Sequence, residues 1–259
     1  MCERLNAAAS PDASVVVFKF GSSILNGPGG FRDAAGEVHR AVEDGHRVVV
    51  VVSAMSGTTD ALLSSAASLS YRPPEALVSR LLATGETASM ALFSIALAEG
   101  GLSACLLDAE ALGLRTSGPM LDAEPQDVDI SVLRAALHRC PVVVVPGFVG
   151  VHDSGEPSLL GRGGSDLTAL FLADRLGAVE CRLLKDVDGI HTEDPRRSSS
   201  TERIECTTWS RALAIGGGVV QDKALRFARV RGIAFRVAAL GGLGTVVGPE
   251  PLQASQVTS

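Results

Sequence analysis

The chain has 259 residues, 46% hydrophobic and only 4% aromatic, with a formal net charge of −6 at neutral pH. That length buries a sizeable aliphatic core, as one large α/β domain or two smaller ones. The absence of a basic run disfavours nucleic acid as a partner, and the absence of a membrane-length apolar run or a signal-peptide pattern makes a cytoplasmic protein without a membrane partner the expectation.

The cysteines are odd in number and scattered (Cys2, Cys105, Cys140, Cys181, Cys206), with no CxxC pair or Cys/His cluster. This argues against a disulfide framework or a zinc site. Of the 23 basic residues only Lys19, Lys185 and Lys223 are lysines. Against such an arginine bias, a retained lysine marks places that need a compact point charge, such as a phosphate in a tight site.

Val15 to Phe20 (VVVFKF) reads as a buried strand. It runs into Gly21-Ser22-Ser23 and a glycine-rich stretch, Gly27 to Gly30, before a helix from Phe31 to Asp44. That is a phosphate-cradling layout without a Walker A motif. Lys19 is costly inside an apolar strand unless it meets a ligand or a salt-bridge partner. Arg47 to Val52 is a second strand, followed by the hydroxyl-dense loop from Ser53 to Asp60 and a helix from Ala61 to Leu69. Gly85-Glu86-Thr87 is expected to open a long helix to Glu99, with Glu86 either facing the helix dipole or binding a ligand. Strands are expected over 103–108, 142–145, 180–185, 233–237 and 245–247. Helices are expected over 129–139, 207–215 and 221–230, and a hairpin over 147–160 around Asp153-Ser154-Gly155.

Gly161-Arg162-Gly163-Gly164-Ser165-Asp166 packs glycines, a guanidinium, a hydroxyl and a carboxylate into six residues at a helix start. Ser165 is the expected N-cap, and the helix start offers donors and a positive dipole end to an anion; a tight capped turn is the alternative. Carboxylates at the end of the 180–185 strand, Asp186 and Asp188, suit magnesium or a phosphate site, although Asp188-Gly189 also reads as a turn. Alternating strands and helices imply a mainly parallel sheet covered on both faces, with ligands at the carboxyl ends of the strands.

The segments KFGSS (Lys19 to Ser23), VVSAMSGTTDAL (Val51 to Leu62), TGETAS (Thr84 to Ser89), PGFVG (Pro146 to Gly150), LGRGGSDLTA (Leu160 to Ala169), DVDGIHTEDPR (Asp186 to Arg196) and GTVVG (Gly244 to Gly248) resemble the amino acid kinase family, most of all the catalytic domain of aspartate kinases. The resemblance implies a three-layer αβα sandwich, with an acceptor lobe over about 14–160 and a nucleotide lobe over about 161–248. It implies ATP-dependent phosphorylation of a carboxylate, L-aspartate first, with Mg2+, and a fold that often pairs as a homodimer. Lys19 would meet the transferring phosphate, with Gly21 and Ser22 as backbone donors. Ser23 and Thr59 would line the acceptor's reactive end, Glu86 would hold its ammonium and Arg162 its α-carboxylate, with Ser165 beside them. Asp166 would orient Lys19 or hold the metal, and Asp186, Asp188, Gly189 and Arg196 would hold the nucleotide.

The chain departs from that pattern at Ser22, where the family has a second glycine, and at Lys185, where it has threonine. Gly218 stands where it has a nucleotide-contacting lysine. Lys185 or Lys223 is the expected replacement. No regulatory ACT domain, and hence no feedback inhibition through one, is expected. Two alternatives stay open: a kinase of another amino acid or small acid, and an inactive nucleotide-binding or regulatory module.

Overall fold

Residues 13–192, 201–215 and 218–249 are described by the structure, a computed structural model. In chain order the elements are β1 (Val15–Phe20), α1 (Pro28–Glu43), β2 (Arg47–Val52), α2 (Thr58–Leu69), α3 (Glu75–Glu99), β3 (Ala104–Leu106), β4 (Arg115–Ser117), β5 (Glu124–Asp127), α4 (Ile130–Arg139), β6 (Val142–Pro146), β7 (Val149–His152), β8 (Pro157–Leu159), α5 (Gly164–Leu176), β9 (Glu180–Leu184), β10 (Cys206–Thr208), α6 (Trp209–Ile215), α7 (Asp222–Arg231), β11 (Phe235–Ala238) and β12 (Thr245–Gly248).

The valine-rich runs of β1, β2 and β6 are buried on both faces, as parallel strands covered by helices must be. They form the middle of an eight-stranded sheet ordered β10-β12-β11-β9-β1-β2-β6-β3. Pairing is parallel from β11 through β3, and β12 runs antiparallel to β11. Side chains alternate across this sheet. Val16, Phe18 and Phe20 pack with Phe31, Val38, Met90 and Phe93 of α1 and α3. Val17 packs on the opposite layer, with Leu167 and Leu170 of α5 and Leu225 of α7. The expected three-layer α/β sandwich is therefore what forms. By the same alternation Lys19 points to the α5 side, where the first turn of α5 carries Asp166. After β1 the chain moves to β2, and after β9 it moves the other way, toward β10, β11 and β12, which opens a crevice at the carboxyl ends of β1 and β9.

A second sheet, ordered β5-β4-β7-β8, stands beside that crevice. The hairpin expected over 147–160 is present as antiparallel β7 and β8. Strands β4 and β5 are not expected from the sequence, because RTS and EPQD carry no apolar alternation. Strand β4 is held by pairing to β7 and by the mutual hydrogen bond of the buried Thr116 and Ser158 hydroxyls, and β5 by pairing to β4.

Several local expectations are corrected. Helix α3 begins at Glu75, so Glu86 lies in its interior rather than in a first turn. At 25 residues, α3 is also long and apolar enough to cross a membrane by length and composition, contrary to the expectation of no such run. Here it packs its apolar side through Leu82, Met90, Phe93 and Leu97. Gly29 and Gly30 fall inside α1, and the Gly27–Gly30 stretch does not line the crevice. Cys105 and Cys140 form a disulfide, because edge strand β3 and the end of α4 both flank β6. Spacing alone could not disclose a pair brought together by the sheet.

Candidate active site

A cleft of about 1280 Å³ runs along the carboxyl ends of β1, β2 and β9, roofed by α2, α3 and the second sheet. Its centre is a three-residue ion cluster. The Lys19 ammonium lies 2.8 Å from Asp166 Oδ1. The Lys185 ammonium donates to both carboxylate oxygens, at 2.9 and 2.7 Å. Lys19 and Asp166 are only 5% and 3% exposed. Burial pulls the Lys19 ammonium down to about 8, against the opposing pull of Asp166. Burial alone would raise the Asp166 carboxyl, but the charges of Lys185 and Lys19 outweigh it and hold it at about 2. One carboxylate thus holds two lysines, leaving a net positive centre that faces the cleft.

The turn before α5 shapes one wall. Gly163, not Ser165, is the N-cap, with φ 80°. A side chain on Gly163 would be strained and would strike Gln221. A methyl on Gly164 would come within 2.8 Å of the Phe148 ring. Phe148 is the one non-glycine residue at positive φ among the described residues, at 69°. It is held there by its N–H donating to Thr168 Oγ1 (3.1 Å), which in turn donates to the Gly164 carbonyl. Such a conformation in an aromatic residue costs on the order of 1–3 kcal/mol and gathers at ligand sites. Arg162, Ser165 and Phe148 all line the cleft beside this turn.

Glu86, on α3, also lines the cleft and is 2% exposed. Its Oε1 accepts from the Ala54 N–H at 3.2 Å, while Oε2 is buried without a hydrogen-bond partner. Burial pushes its carboxyl up to about 7. The folded value lies above the unfolded one of 4.5, so the native state binds more protons between them and stability falls as pH rises through that window. The gap is worth about 3 kcal/mol. Glu86→Gln is expected to raise the urea midpoint at pH 8 and to leave it nearly unchanged at pH 4. An equal shift at both pH values would show that Glu86 does not carry this strain. A cationic ligand group at Oε2 would offset the same cost.

The structure brings Lys19, Gly21, Ser22, Ser23, Thr59, Glu86, Arg162, Ser165, Asp166, Lys185, Asp186, Gly189 and Gly218 to this one cleft. Asp188 and Lys223 are not among its lining residues. Asp188 Oδ1 accepts from the N–H groups of Ala239 (3.2 Å) and Gly244 (2.9 Å), organising the turn before β12. The Lys223 ammonium donates to Asp122 Oδ1 (2.8 Å) and to the carbonyls of Ala123 (3.0 Å) and Leu160 (2.9 Å). It ties the turn before β5 to the end of β8. Arg196 lies outside the described residues. Sequence reasoning missed Ser53, Ala54, Leu63, Val78, Leu82, Leu121, Phe148 and Leu159, which also line the cleft. Val78 and Leu82 precede Glu86 at helical spacing, a signal available only once α3 is known to be continuous.

Among the described residues no cluster of three or more His, Cys, Asp or Glu side chains could hold a metal ion. Asp166, the expected metal ligand, has both oxygens engaged by lysines. Among the described residues the donor set does not fit a resident metal.

Comparison with known proteins agrees with this architecture. The amino acid kinase family model matches residues 14–239. Aspartokinase 2 of Bacillus subtilis is 38% identical over 218 residues, covering 83% of this chain and 53% of the relative. The aspartokinase of Helicobacter pylori is 35% identical, with 83% and 54% covered. The chain therefore spans about half the length of these curated relatives. Among solved structures, an aspartate kinase from Synechocystis superposes with a TM-score of 0.80 at 32% identity, over 95% of this chain and 41% of that one. Aspartokinase III of E. coli, solved with lysine and aspartate, superposes with a TM-score of 0.79 at 26% identity, over 92% and 66%. A match running from before β1 to the end of β11, joined to the sandwich fold and its cleft, leads to one assignment: the chain belongs to the amino acid kinase family.

Proposed function

We propose that this chain transfers the γ-phosphoryl group of ATP to the side-chain carboxylate of an amino acid, L-aspartate being the first candidate. The carrying observation is the Lys19–Asp166–Lys185 cluster at the ends of two neighbouring strands. A carboxylate acceptor is ionised at neutral pH, so no general base is needed. What opposes reaction is the approach of two anions and the charge on the transferring group. Two fixed ammonium groups in a buried setting meet that need, and positioning supplies the rest.

In the transfer, an acceptor carboxylate oxygen bonds to the γ-phosphorus. The bond from that phosphorus to the β–γ bridging oxygen breaks, and its electron pair leaves with ADP. No proton has to move. Lys19 and Lys185 face the transferring group, and Asp166 keeps both charged and in place. Glu86 and Arg162, both lining the cleft, suit the ammonium and α-carboxylate of an amino acid. Magnesium would enter as the counter-ion of the nucleotide's phosphates, since the described residues build no site of their own for it. The relatives named aspartokinase support aspartate as the acceptor.

The test is ADP release from MgATP with L-aspartate, with hydroxylamine present to trap an acyl phosphate. Aspartate-dependent ADP with a matching hydroxamate is the expected result. ATP binding without turnover on any amino acid or dicarboxylate would overturn the proposal in favour of a binding module.

A further inference from the structure

We propose that the acceptor of this kinase site carries an apolar substituent beyond the carbon skeleton of aspartate, seated on an aliphatic wall formed by Leu63, Val78, Leu82, Leu121 and Leu159. The inference rests on the reading of the cleft as a carboxylate-kinase site. All five residues line the cleft, and Val78, Leu82 and Leu159 pack together with Leu121 against them. Val78 and Leu82 lie two turns and one turn before Glu86 on α3, so their side chains share its face. Leu63 stands one turn beyond Thr59 on α2. Leu159 ends β8. Its N–H donates to the Met120 carbonyl and its carbonyl accepts from the Ala123 N–H, both at 2.8 Å, which fixes Leu121 beside it.

Three features make this a ligand surface as well as core. Val78, Leu82 and Leu159 form a buried floor, but the rim is open: Leu63 is 41% exposed and Leu121 is half-buried. Large apolar side chains left uncovered around a cleft signal a ligand that covers them. The turn bearing Leu121 is also held in place, since Lys223 binds the carboxylate and the carbonyl of the two residues that follow it. Finally, Glu86, one turn beyond Leu82 on the same face of α3, carries a carboxylate oxygen, Oε2, that is buried without a hydrogen-bond partner. A ligand that neutralises this oxygen is brought directly against the wall. Aspartate offers only one CH and one CH2 group, both between charged groups, and leaves such a surface unfilled.

The experiment compares kcat/KM for L-aspartate, 3-methylaspartate and N-methylaspartate in the hydroxamate-trapped assay, in the wild-type chain and in Leu121→Asn. At least one methyl homologue is expected to exceed aspartate by about fourfold, the effect of burying one further carbon. Leu121→Asn is expected to lower that ratio. Turnover of aspartate with no homologue exceeding it overturns the apolar acceptor and leaves the kinase reading standing. Turnover of none of the three, with ATP bound, overturns both. Because the wild-type ratio decides, a Leu121→Asn chain that fails to fold does not rescue the proposal.

Discussion

Lys185→Met is expected to lower kcat by about 10²–10³-fold, the usual effect of removing one fixed donor from a developing anion. It is expected to do so without unfolding the chain, because Lys19 remains to neutralise Asp166. Lys223→Met is the matched control. Its ammonium is committed to Asp122, Ala123 and Leu160, so its loss is expected to act through the KM of the acceptor more than through kcat. Single-turnover ADP formation at saturating ATP separates the two. A Lys185→Met chain with undiminished kcat, or a Lys223→Met chain with the larger kcat loss, would reverse the assignment of the family's missing lysine.

Asp166→Asn is expected to be the most destabilising single change at the site, by about 3–5 kcal/mol, because it leaves two buried ammonium groups side by side without their counter-charge. The loss should appear as a lowered urea midpoint. Added inorganic phosphate should recover part of it by supplying an anion to the native state alone. A variant as stable as wild type in phosphate-free buffer would mean that the lysines do not depend on Asp166 for their charge.

Much of this site was legible before the fold. Lys19 announced itself because a charge inside VVVFKF must have a partner, and the GRGGSD turn because glycines and ionisable groups rarely share six residues. What escaped notice depended on tertiary placement. Polar strands β4 and β5 have no period to read. The continuity of α3 is masked by a glycine at position 85, which is tolerated because a side chain there would meet Ala54 at 3.0 Å. Asp188 and Lys223 carry the residue types of a nucleotide site but are engaged by neighbouring backbone groups and ion pairs of the fold itself. Residue type discloses which chemistry is affordable at a position, and only the fold discloses where the hydrogen bonds are spent.

The proposed transfer machinery and the proposed acceptor wall belong to different parts of the chain. Lys19, Asp166 and Lys185 sit on β1, α5 and the end of β9, whereas the aliphatic wall sits on α2, α3, β8 and the turn before β5. Substitutions in the two groups share few neighbours and should combine almost additively. On the proposed function, acceptor preference can therefore drift, one wall residue at a time, while the phosphoryl chemistry stays intact. For an engineer such an enzyme is a scaffold whose acceptor range can be re-cut without touching its engine.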